Sequence, residues 1–378
     1  MKVKLGDIFE ISSGGTPLKS CPEYYGGDIP WVKTGDLKSE YIYGVEDFIT
    51  EDGLRNSSAK MYEEDTVLIA MYGATIGATS ILKISACTNQ ACAAFIRNDK
   101  VIPEYLYYFL KSQKKKFVKD GVGGAQPNIS AGYLKKVEME LLSIEEQRIV
   151  VDILDKITNI INRRNQELIA LDNLIKARFV EMFGEGLVDD GRFPLLPVSD
   201  IGKVVSGATP QTGNADYWAG NNIWITPAEL SEKSFIIYDS IRKITDEGVH
   251  SCAVNLLPIG TVILSSRAPI GKVAIVGTPM YCNQGFKNII PNKKINSIYL
   301  YELLSMQTGY LNSLGRGATF KEISKQIVEN IKVKVPPIEL QNQFSDFVHQ
   351  VDKSKVAVQK ALTETQLLFD SLMQQYFG

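Results

Sequence analysis

The sequence predicts an α+β fold in which two duplicated, strand-rich domains are separated by two long helices that form an antiparallel coiled coil within the chain. An internal repeat is the first observation behind this prediction, because short motifs recur in the same order 193 residues apart. The second is a four-and-three spacing of apolar residues, which occurs once in the middle of the chain and once after residue 337. Together they predict four segments in the order domain, helix, domain, helix.

Length and composition indicate a multidomain globular protein. The chain has 378 residues, of which 44% are apolar and 22% are charged, and this length exceeds one ordinary core. No apolar run approaches the roughly 18 to 20 residues of a membrane span, and the N-terminus lacks a secretory apolar region. Five scattered cysteines suit a reducing compartment, so a cytoplasmic protein is expected. Because the net charge is only −2, any nucleic-acid function must rest on local patches.

The first domain is expected over residues 1–142. Its apolar run at residues 66–70 predicts a buried strand, and residues 103–110 predict a short amphipathic helix. The second domain is expected over residues 185–336, and it starts with a linker that glycine and proline punctuate. The predicted counterparts of the strand and the helix are residues 261–264 and 296–306.

The repeat keeps one register over the first part of each domain, where Trp31 corresponds to Trp224. Chance does not hold one offset over several motifs, so the domains are predicted to be duplicates. The motifs that share the offset are residues 5–8 with 198–201, 13–17 with 206–210, and 24–27 with 217–220. Later pairs, with small slips, are residues 65–68 with 260–263, 74–77 with 268–271, 89–90 with 283–284, and 121–130 with 315–324.

The two long helices are predicted at residues 143–184 and 337–378. Their spacing is typical of a coiled-coil seam rather than of the broader stripe of a surface helix, and Gly184 is the expected C-cap of the first. An antiparallel pair places one domain at each end and gives a pseudo-twofold molecule, the symmetry used to read two DNA half-sites. The first seam comprises Val150, Leu154, Ile157, Ile161, Leu168, Leu171, Ile175 and Met182, with Arg164 and Arg178 as polar members; the second comprises Phe344, Val348, Val351, Val358, Leu362, Phe369, Leu372 and Tyr376, with Lys355 and Thr365.

The sequence contains no recognisable catalytic or cofactor motif. His250 and His349 lie in unlike segments, which argues against a shared metal site or triad. Cys87 and Cys92 have no second pair at zinc spacing and are expected to be small buried residues. A G-x-x-x-x-G-K-[ST] phosphate loop and an Asn/Asp-Pro-Pro-aromatic tetrapeptide are both absent from the sequence, so no cofactor is expected.

A dense basic cluster follows the predicted helix of the first domain. It comprises Lys111, Lys114, Lys115, Lys116 and Lys119. Such lysines hold DNA phosphates and supply affinity without reading sequence. A solvated helix face explains the same pattern equally well.

Polar residues in the loops of the repeat suit the reading of base edges. Gln126 and Asn128 could contact adenine, and Arg267 or Arg316 could contact guanine, although loop capping explains the first two equally well. The frame of the repeat is shared while these loop residues differ, as expected if each copy reads a different short sequence; drift of a structural repeat is the alternative. The predicted DNA contacts are Thr16, Lys19, Lys33, Thr34, Tyr72, Lys114, Lys115, Lys116, Gln126 and Asn128 in the first domain and Thr209, Gln211, Thr226, Arg267, Arg316 and Lys321 in the second.

These ordered motifs make the whole chain resemble the specificity subunits of type I restriction-modification systems. The resemblance is carried by the paired entries KLGDIFEISSGGTP and PVSDIGKVVSGATP, and by the paired W-x-x-x-x-[DE]-L segments that start at Trp31 and Trp224. Two G-x-G-x-x-x-x-x-I-S loops, two [LP]-[SP]-I-E-x-Q helix starts and the helix ending FVEMFG at residues 179–184 extend it.

The resemblance implies a non-catalytic DNA-binding subunit. In that family two recognition domains each read half of a bipartite double-stranded DNA site, and the paired helices set the spacer and dock two methyltransferase (modification) subunits. Restriction subunits complete the nuclease form, and DNA methylation belongs to the partners. The alternatives are a free-standing methyltransferase or nuclease, and a coiled-coil scaffold that binds no DNA.

Overall fold

The chain folds into two compact units that share the two long helices. Unit 1 comprises Met1–Asn165 and Lys360–Gly378, and unit 2 comprises Gln166–Gln359. Each long helix therefore contributes one part to each unit. The computed structural model describes residues 1–121, 128–230, 235–267, 269–316 and 321–378.

The first 143 residues of unit 1 are rich in short strands, as predicted. Its strands are β1 (Lys2–Lys4), β2 (Ile11–Ser13), β3 (Tyr25–Val32), β4 (Tyr41–Ile42), β5 (Phe48–Ile49), β6 (Met61–Tyr62), β7 (Val67–Ala70), β8 (Thr79–Leu82), β9 (Ala86–Thr88), β10 (Cys92–Phe95) and β11 (Glu138–Glu140). Its helices are α1 (Leu5–Ile8), α2 (Glu51–Arg55), α3 (Pro103–Ser112), α4 (Lys114–Asp120), α5 (Ala131–Leu134) and the first part of α6 (Ile144–Phe183).

Unit 2 repeats the same order of elements, except that β6 has no counterpart among its described strands. Its strands are β12 (Leu195–Pro197), β13 (Gly202–Ser206), β14 (Trp218–Ile225), β15 (Ile236–Ile237), β16 (Lys243–Ile244), β17 (Val262–Ser265), β18 (Val273–Val276), β19 (Tyr281–Cys282), β20 (Phe286–Pro291) and β21 (Lys332–Lys334). Its helices are α7 (Val198–Ile201), α8 (Asp246–His250), α9 (Ser297–Ser305), α10 (Thr308–Ser313), α11 (Lys325–Glu329) and the first part of α12 (Ile338–Phe377).

A five-stranded mixed sheet lies at the centre of each unit. The strand order is β2-β10-β7-β8-β4 in unit 1 and β13-β20-β17-β18-β15 in unit 2. Most pairs are antiparallel, and only the edge pairs β4–β8 and β15–β18 are parallel. All four residues of β7 and of β17 are buried, which explains why VLIA in β7 is an uninterrupted apolar run and why β17 is apolar up to its last residue, Ser265.

The smaller sheets are also duplicated. In unit 1, the strand order of one sheet is β5-β3-β9-β6, and β1 pairs with β11. In unit 2, β14 joins β16 and β19, and β12 pairs with β21. Trp31 lies opposite Cys87 and Trp224 opposite Tyr281 in matching parallel pairs. The duplication inferred from sequence is therefore confirmed at the level of strand pairing.

One amphipathic helix covers the central sheet of each unit. Helix α3 contacts β7 and β8, and its counterpart α9 contacts β17 and β18. Their buried aromatic and aliphatic side chains include Tyr105, Phe109, Tyr299 and Leu303. Each such side chain contributes about 1.5 to 3 kcal/mol through burial, so these short helices anchor the sheets to the long helices.

The predicted seams of the long helices are confirmed over most of their length in both units. In the last turns the buried residues are Phe179, Phe183, Met373 and Phe377, whereas the predicted Met182, Leu372 and Tyr376 are only half-buried. In unit 1 the core combines Leu154 and Ile157 of α6 with Phe369 and Met373 of α12. In unit 2 the core combines Ile175 of α6 with residues near the start of α12. The early part of each helix thus packs against the late part of the other, so the pairing is antiparallel.

Polar seam positions make their own bonds. The Arg164 guanidinium donates to the Thr365 hydroxyl at 2.9 Å within unit 1. Within unit 2 the Lys355 ammonium lies 2.6 Å from an Asp172 carboxylate oxygen. Helix α6 ends at Gly184, whose φ of +79° is the left-handed geometry of a C-cap.

A buried glutamine ties each strand-rich domain to the start of its long helix. Gln147 accepts a bond from the Ile102 N–H at 2.8 Å and donates to the carbonyls of Lys100 and Leu142 at 2.9 and 3.0 Å. Gln341 makes the same three kinds of bond in unit 2, at 2.8 to 3.0 Å. The glutamine of each I-E-x-Q motif is therefore a structural latch whose polar atoms are all satisfied.

Candidate nucleic-acid interface

The first pair of candidate loops is the glycine-rich entry of each domain. The Thr16 hydroxyl donates to the Gln90 side-chain oxygen, and Thr209 donates to Gln284 in the same way. The Trp31 indole N–H donates to the Gly15 carbonyl at 3.1 Å. The equivalent Trp224 bond to the carbonyl of Ala208 measures 3.0 Å. These hydrogen bonds hold both entry loops against the rest of their own domains.

Two predicted contacts extend from these entry loops. The side chains of Lys19 and Gln211 are exposed. The backbone carbonyl of Gln211 accepts the Trp218 indole N–H at 3.3 Å, which leaves its amide side chain outward. Both residues are thus accessible to a ligand on the surface of their own unit.

The second pair of loops follows the two tryptophan strands and is held by a carboxylate. In unit 1 the Lys33 backbone N–H donates to Asp36 at 2.7 Å, while its ammonium lies 2.7 Å from Asp47. Thr34 begins the short 3-10 turn that follows and is half-buried. Lys33 is therefore already ion-paired, which reduces the charge that it offers to DNA.

In unit 2, more of the polar groups of the corresponding turn form hydrogen bonds within the unit. The Thr226 N–H and hydroxyl both donate to one Glu229 oxygen at 3.0 Å. The other Glu229 oxygen accepts from the Ser240 hydroxyl and the Ile241 N–H at 2.7 and 2.9 Å. The Thr226 hydroxyl retains only acceptor capacity for a ligand.

The third pair of loops brings together residues that are predicted to contact DNA. Tyr72 and Asn128 form an antiparallel bridge in unit 1, and Arg267 and Glu322 form the equivalent bridge in unit 2. Arg316 also bridges to Glu322, through backbone bonds of 3.0 and 3.1 Å. Lys321 is exposed beside it. Gln126 lies outside the described residues.

Sequence reasoning missed the ion network that supports the loop of unit 2. Glu322 contacts the Arg267 guanidinium at 3.1 Å and the Lys287 ammonium at 3.2 Å. Partial burial acts to raise the pKa of Glu322, but hydrogen bonds from these two cations outweigh it, and the pKa is lowered. The Lys287 side chain is only 8% exposed. Its signal in the sequence was a lysine inside the largely apolar strand β20 (FKNIIP), where β10 carries Ala93.

The predicted lysine cluster separates into two environments. Lys114, Lys115 and Lys116 lie on α4 and are exposed, which fits both phosphate binding and a solvated face. Lys111 is exposed as well, but it donates to the Tyr107 hydroxyl at 3.2 Å and lies 5.8 Å from the centre of the Phe369 ring. Burial lowers the pKa of Lys111.

Residues considered for catalysis have structural surroundings. Burial raises the pKa values of Cys87 and Cys92 to about 12, as expected for small core residues rather than nucleophiles. The His250 ring lies 2.6 Å from the Asp246 carbonyl of its own helix. Within the described ranges, no group of three His, Cys, Asp or Glu side chains has the geometry to hold a metal ion. No helix in the same ranges is long and apolar enough to cross a membrane.

The fold and the loops define a duplicated recognition scaffold. Two matching frames present loops in the same three positions, but with different exposed side chains. The model of the family described as "Type I restriction modification DNA specificity domain" matches residues 1–170 and 196–366. The chain belongs to this family.

Curated relatives carry the corresponding subunit name. The chain is 35% identical over 205 residues to the type I restriction enzyme MjaIX specificity subunit of Methanocaldococcus jannaschii, covering 50% of this chain and 47% of that protein. It is 27% identical over 164 residues to the EcoR124I/EcoR124II specificity subunit of Escherichia coli, covering 42% and 41%. The chain thus spans about half the length of the curated relatives it matches.

Solved structures share the fold at low sequence identity. A chain from a study of complex assembly and conformational transition in the type I R-M system has a TM-score of 0.67 at 16% identity, covering 100% of this chain and 97% of its own. The type I restriction-modification S subunit from M. genitalium has a TM-score of 0.58 at 15% identity, covering 100% and 96%.

Proposed function

We propose that this chain is the sequence-specific DNA-binding subunit of a type I restriction-modification complex and performs no catalytic step itself. Each unit reads one half of a bipartite double-stranded DNA site, and the paired helices set the spacer. The observation that carries this proposal is the duplicated loop frame with divergent exposed side chains. Family membership supports it, and such a subunit would act in the cytoplasm beside the host DNA.

We assign the base contacts to the loops that expose polar side chains. In unit 2, Arg316 is exposed and its backbone is fixed by Glu322, so its guanidinium is presented from a rigid base. A guanidinium suits the two acceptors of guanine in the major groove. In unit 1, Tyr72 and Asn128 occupy the equivalent bridge. Different side chains on one frame favour different half-sites.

The long helices offer surfaces for protein partners. Within unit 1, Ile149, Ile160, Leu367 and Leu368 are exposed on α6 and α12. Within unit 2, Ile169, Leu174 and Val356 are exposed on the same helices. Exposed apolar side chains of this kind favour protein contacts. Two modification subunits would dock there, with restriction subunits added in the nuclease form.

Half-site selection tests the proposal directly. The chain is combined with its modification subunits and presented with a DNA library in which each half-site is varied separately. We expect Arg316→Ala to relax sequence choice in one half-site only, with a loss of about 1 to 3 kcal/mol for the preferred sequence. Lys293→Ala, an exposed change elsewhere in unit 2, is the matched control. Equal weakening on all DNA sequences would reject Arg316 as a base reader.

The proposed spacing role has its own test. An insertion of four residues in the central helix α6 should alter the preferred spacer while both half-sequences stay the same. An unchanged spacer in the same selection would reject the helices as the spacing element. Absence of any sequence preference in the assembled complex would reject the proposed function itself.

A further inference from the structure

Unit 1 contains an open groove, here called the unit 1 groove, with a cavity volume of about 1290 Å³. One wall is the turn from α3 into α4, another is β11, and the third is the last three turns of α12. Its floor includes the side chains of Phe109, Phe369, Met373 and Phe377. The groove therefore combines an apolar floor with charged rims.

The equivalent place in unit 2 is filled by the linker between α6 and β12, residues 185–194. The Asp190 carboxylate lies 2.9 Å from the Lys334 ammonium, which is only 1% exposed. The Phe193 ring centre lies 6.2 Å from that of Phe183. Gly186 lies so close to the Gln307 side chain that a Cβ atom would collide with it.

Two hydrogen bonds establish the correspondence of the two places. The Tyr105 hydroxyl donates to the Glu140 carbonyl at 3.1 Å, as Tyr299 donates to the Lys334 carbonyl at 3.1 Å. The N–H after each of these acceptors donates to a carbonyl as well, that of Met1 at 2.8 Å in unit 1 and that of Pro194 at 2.9 Å in unit 2. The residues that the linker contacts in unit 2, Phe183, Gln307 and Lys334, thus correspond to Phe377, Gln113 and Glu140, which all line the unit 1 groove.

The charges around the groove indicate the chemistry of an occupant. Carboxylates come from Glu138, Glu140 and Asp370, but lysines outnumber them: the groove is lined by Lys2, Lys111, Lys114, Lys115, Lys116 and Lys136. The linker that fills the unit 2 place, EGLVDDGRFP, has three acidic residues and one arginine. An acidic peptide therefore complements the groove overall, although Glu140 replaces Lys334 at one position.

We propose that the unit 1 groove binds an extended, acidic segment of about ten residues from a partner protein. Its aromatic or apolar side chain packs on Phe377, as Phe193 packs on Phe183 in unit 2. Its carboxylates face Lys114, Lys115 and Lys116. The residue opposite Glu140 is neutral or basic. The apolar floor favours a peptide over a DNA backbone, whose phosphates need only the lysines. The inference does not depend on the proposed DNA function.

A labelled synthetic peptide with the sequence of residues 185–194 serves as the probe, titrated into the full chain. Glu140→Lys should tighten binding at least tenfold, because it restores the lysine that holds Asp190 in unit 2, and Glu140→Gln should have a smaller effect in the same direction. Lys114→Glu, Lys115→Glu and Lys116→Glu together should weaken binding at least tenfold. A peptide in which the phenylalanine is alanine should bind more weakly to every variant.

The matched control carries Lys38→Glu, Lys60→Glu and Lys100→Glu, which are exposed residues of unit 1 outside the groove. It should bind the peptide like the wild type. Undetectable binding to both the wild type and Glu140→Lys would overturn the proposal. So would peptide binding that the triple α4 variant leaves unchanged while its DNA affinity falls equally on all sequences, because the lysines would then hold phosphates.

Discussion

Units 1 and 2 share a backbone frame but fill it with different side chains. Both keep the glutamine latch, the tryptophan bond to the entry loop and the bridge between the reader loops. Every one of these contacts satisfies backbone groups, which are the same for any sequence. The comparison teaches that duplicated frames are held by hydrogen bonds to main-chain groups, several of them from a shared glutamine or tryptophan side chain, and this leaves the other side chains free to diverge.

The interior shows the divergence most clearly where helix α6 ends. In unit 2 the rings of Phe179, Phe183, Tyr299 and Phe344 form one aromatic cluster, with the centres of contacting rings 4.7 to 5.6 Å apart. By the repeat, the corresponding residues of unit 1 are Met373, Phe377, Tyr105 and Val150, so two of the four rings are replaced by aliphatic side chains.

The largest expected difference follows from this cluster. Phe179→Ala should destabilise unit 2 by about 3 to 5 kcal/mol, and Met373→Ala should destabilise unit 1 by about 2 to 3 kcal/mol, because Phe179 is fully buried and makes ring contacts. Urea unfolding followed by tryptophan fluorescence can separate the units, since Trp31 lies in unit 1 and Trp218 and Trp224 in unit 2. Equal losses of stability in the two variants would show that the aromatic cluster does not make unit 2 more sensitive to truncation than unit 1.

The second difference is a response to pH. Burial raises the pKa of Glu302 in unit 2 to about 7, with Lys355 and Lys176 lowering it and Asp352 and Asp172 raising it. Its ordinary value is 4.5, so the contribution of the carboxyl group to stability is complete below pH 4.5 and is lost as the pH rises through 7. The corresponding residue of unit 1 is Tyr108, which stays neutral throughout because burial raises its pKa.

Glu302→Gln tests this difference. Relative to the wild type, the substitution should raise the free energy of unfolding of unit 2 by up to about 3 kcal/mol at pH 8 and by little at pH 4.5. Urea titrations at both pH values measure the difference between the variant and the wild type, which cancels other titrating groups. A difference that does not vary with pH would show that Glu302 titrates normally. Tyr108→Phe in unit 1 should give a constant difference.

The third difference concerns the ion network beneath the loop of unit 2. Glu322→Gln leaves the Lys287 ammonium without its carboxylate and should cost about 2 kcal/mol, less than a fully buried pair because Glu322 is 36% exposed. Adding Lys287→Met should recover most of the loss, since unit 1 has the uncharged residues Ala93 and Asn128 at the two corresponding positions. Thermal unfolding measures both, and a double variant no more stable than Glu322→Gln would contradict the pairing.

The smallest difference lies in the tryptophan-strand turns. Thr226→Ala removes the hydroxyl bond to Glu229 and should cost about 1 kcal/mol. Lys33→Ala removes an exposed ion pair with Asp47 and should cost under about 0.5 kcal/mol. Urea midpoints of the two variants provide the comparison. A larger loss for Lys33→Ala would reverse the ranking of these turns.

The long-range order of the fold was predictable because periodic patterns and repeats encode it. The seams follow from spacing alone, and Gly184 ends its helix as predicted. Which side chains contact one another in the candidate site was less predictable. Nothing adjacent in sequence links Lys287 to Glu322, or Glu229 to Ser240, because strand pairing creates those contacts. The exposed readers therefore stay predictions, while the residues that hold their loops are known from the structure.

The division of the long helices also affects how the protein is made. Gln113, which directly follows α3, donates to the Phe377 carbonyl at 3.2 Å, across 264 residues of sequence. Phe369, Met373 and Phe377 all belong to the core of unit 1. A ribosome must therefore synthesise the whole of unit 2 before unit 1 can close its core. Contacts so distant in sequence form slowly. The N-terminal domain therefore stays incompletely folded during translation. Stalled or truncated chains would expose its apolar surface to chaperones and proteases.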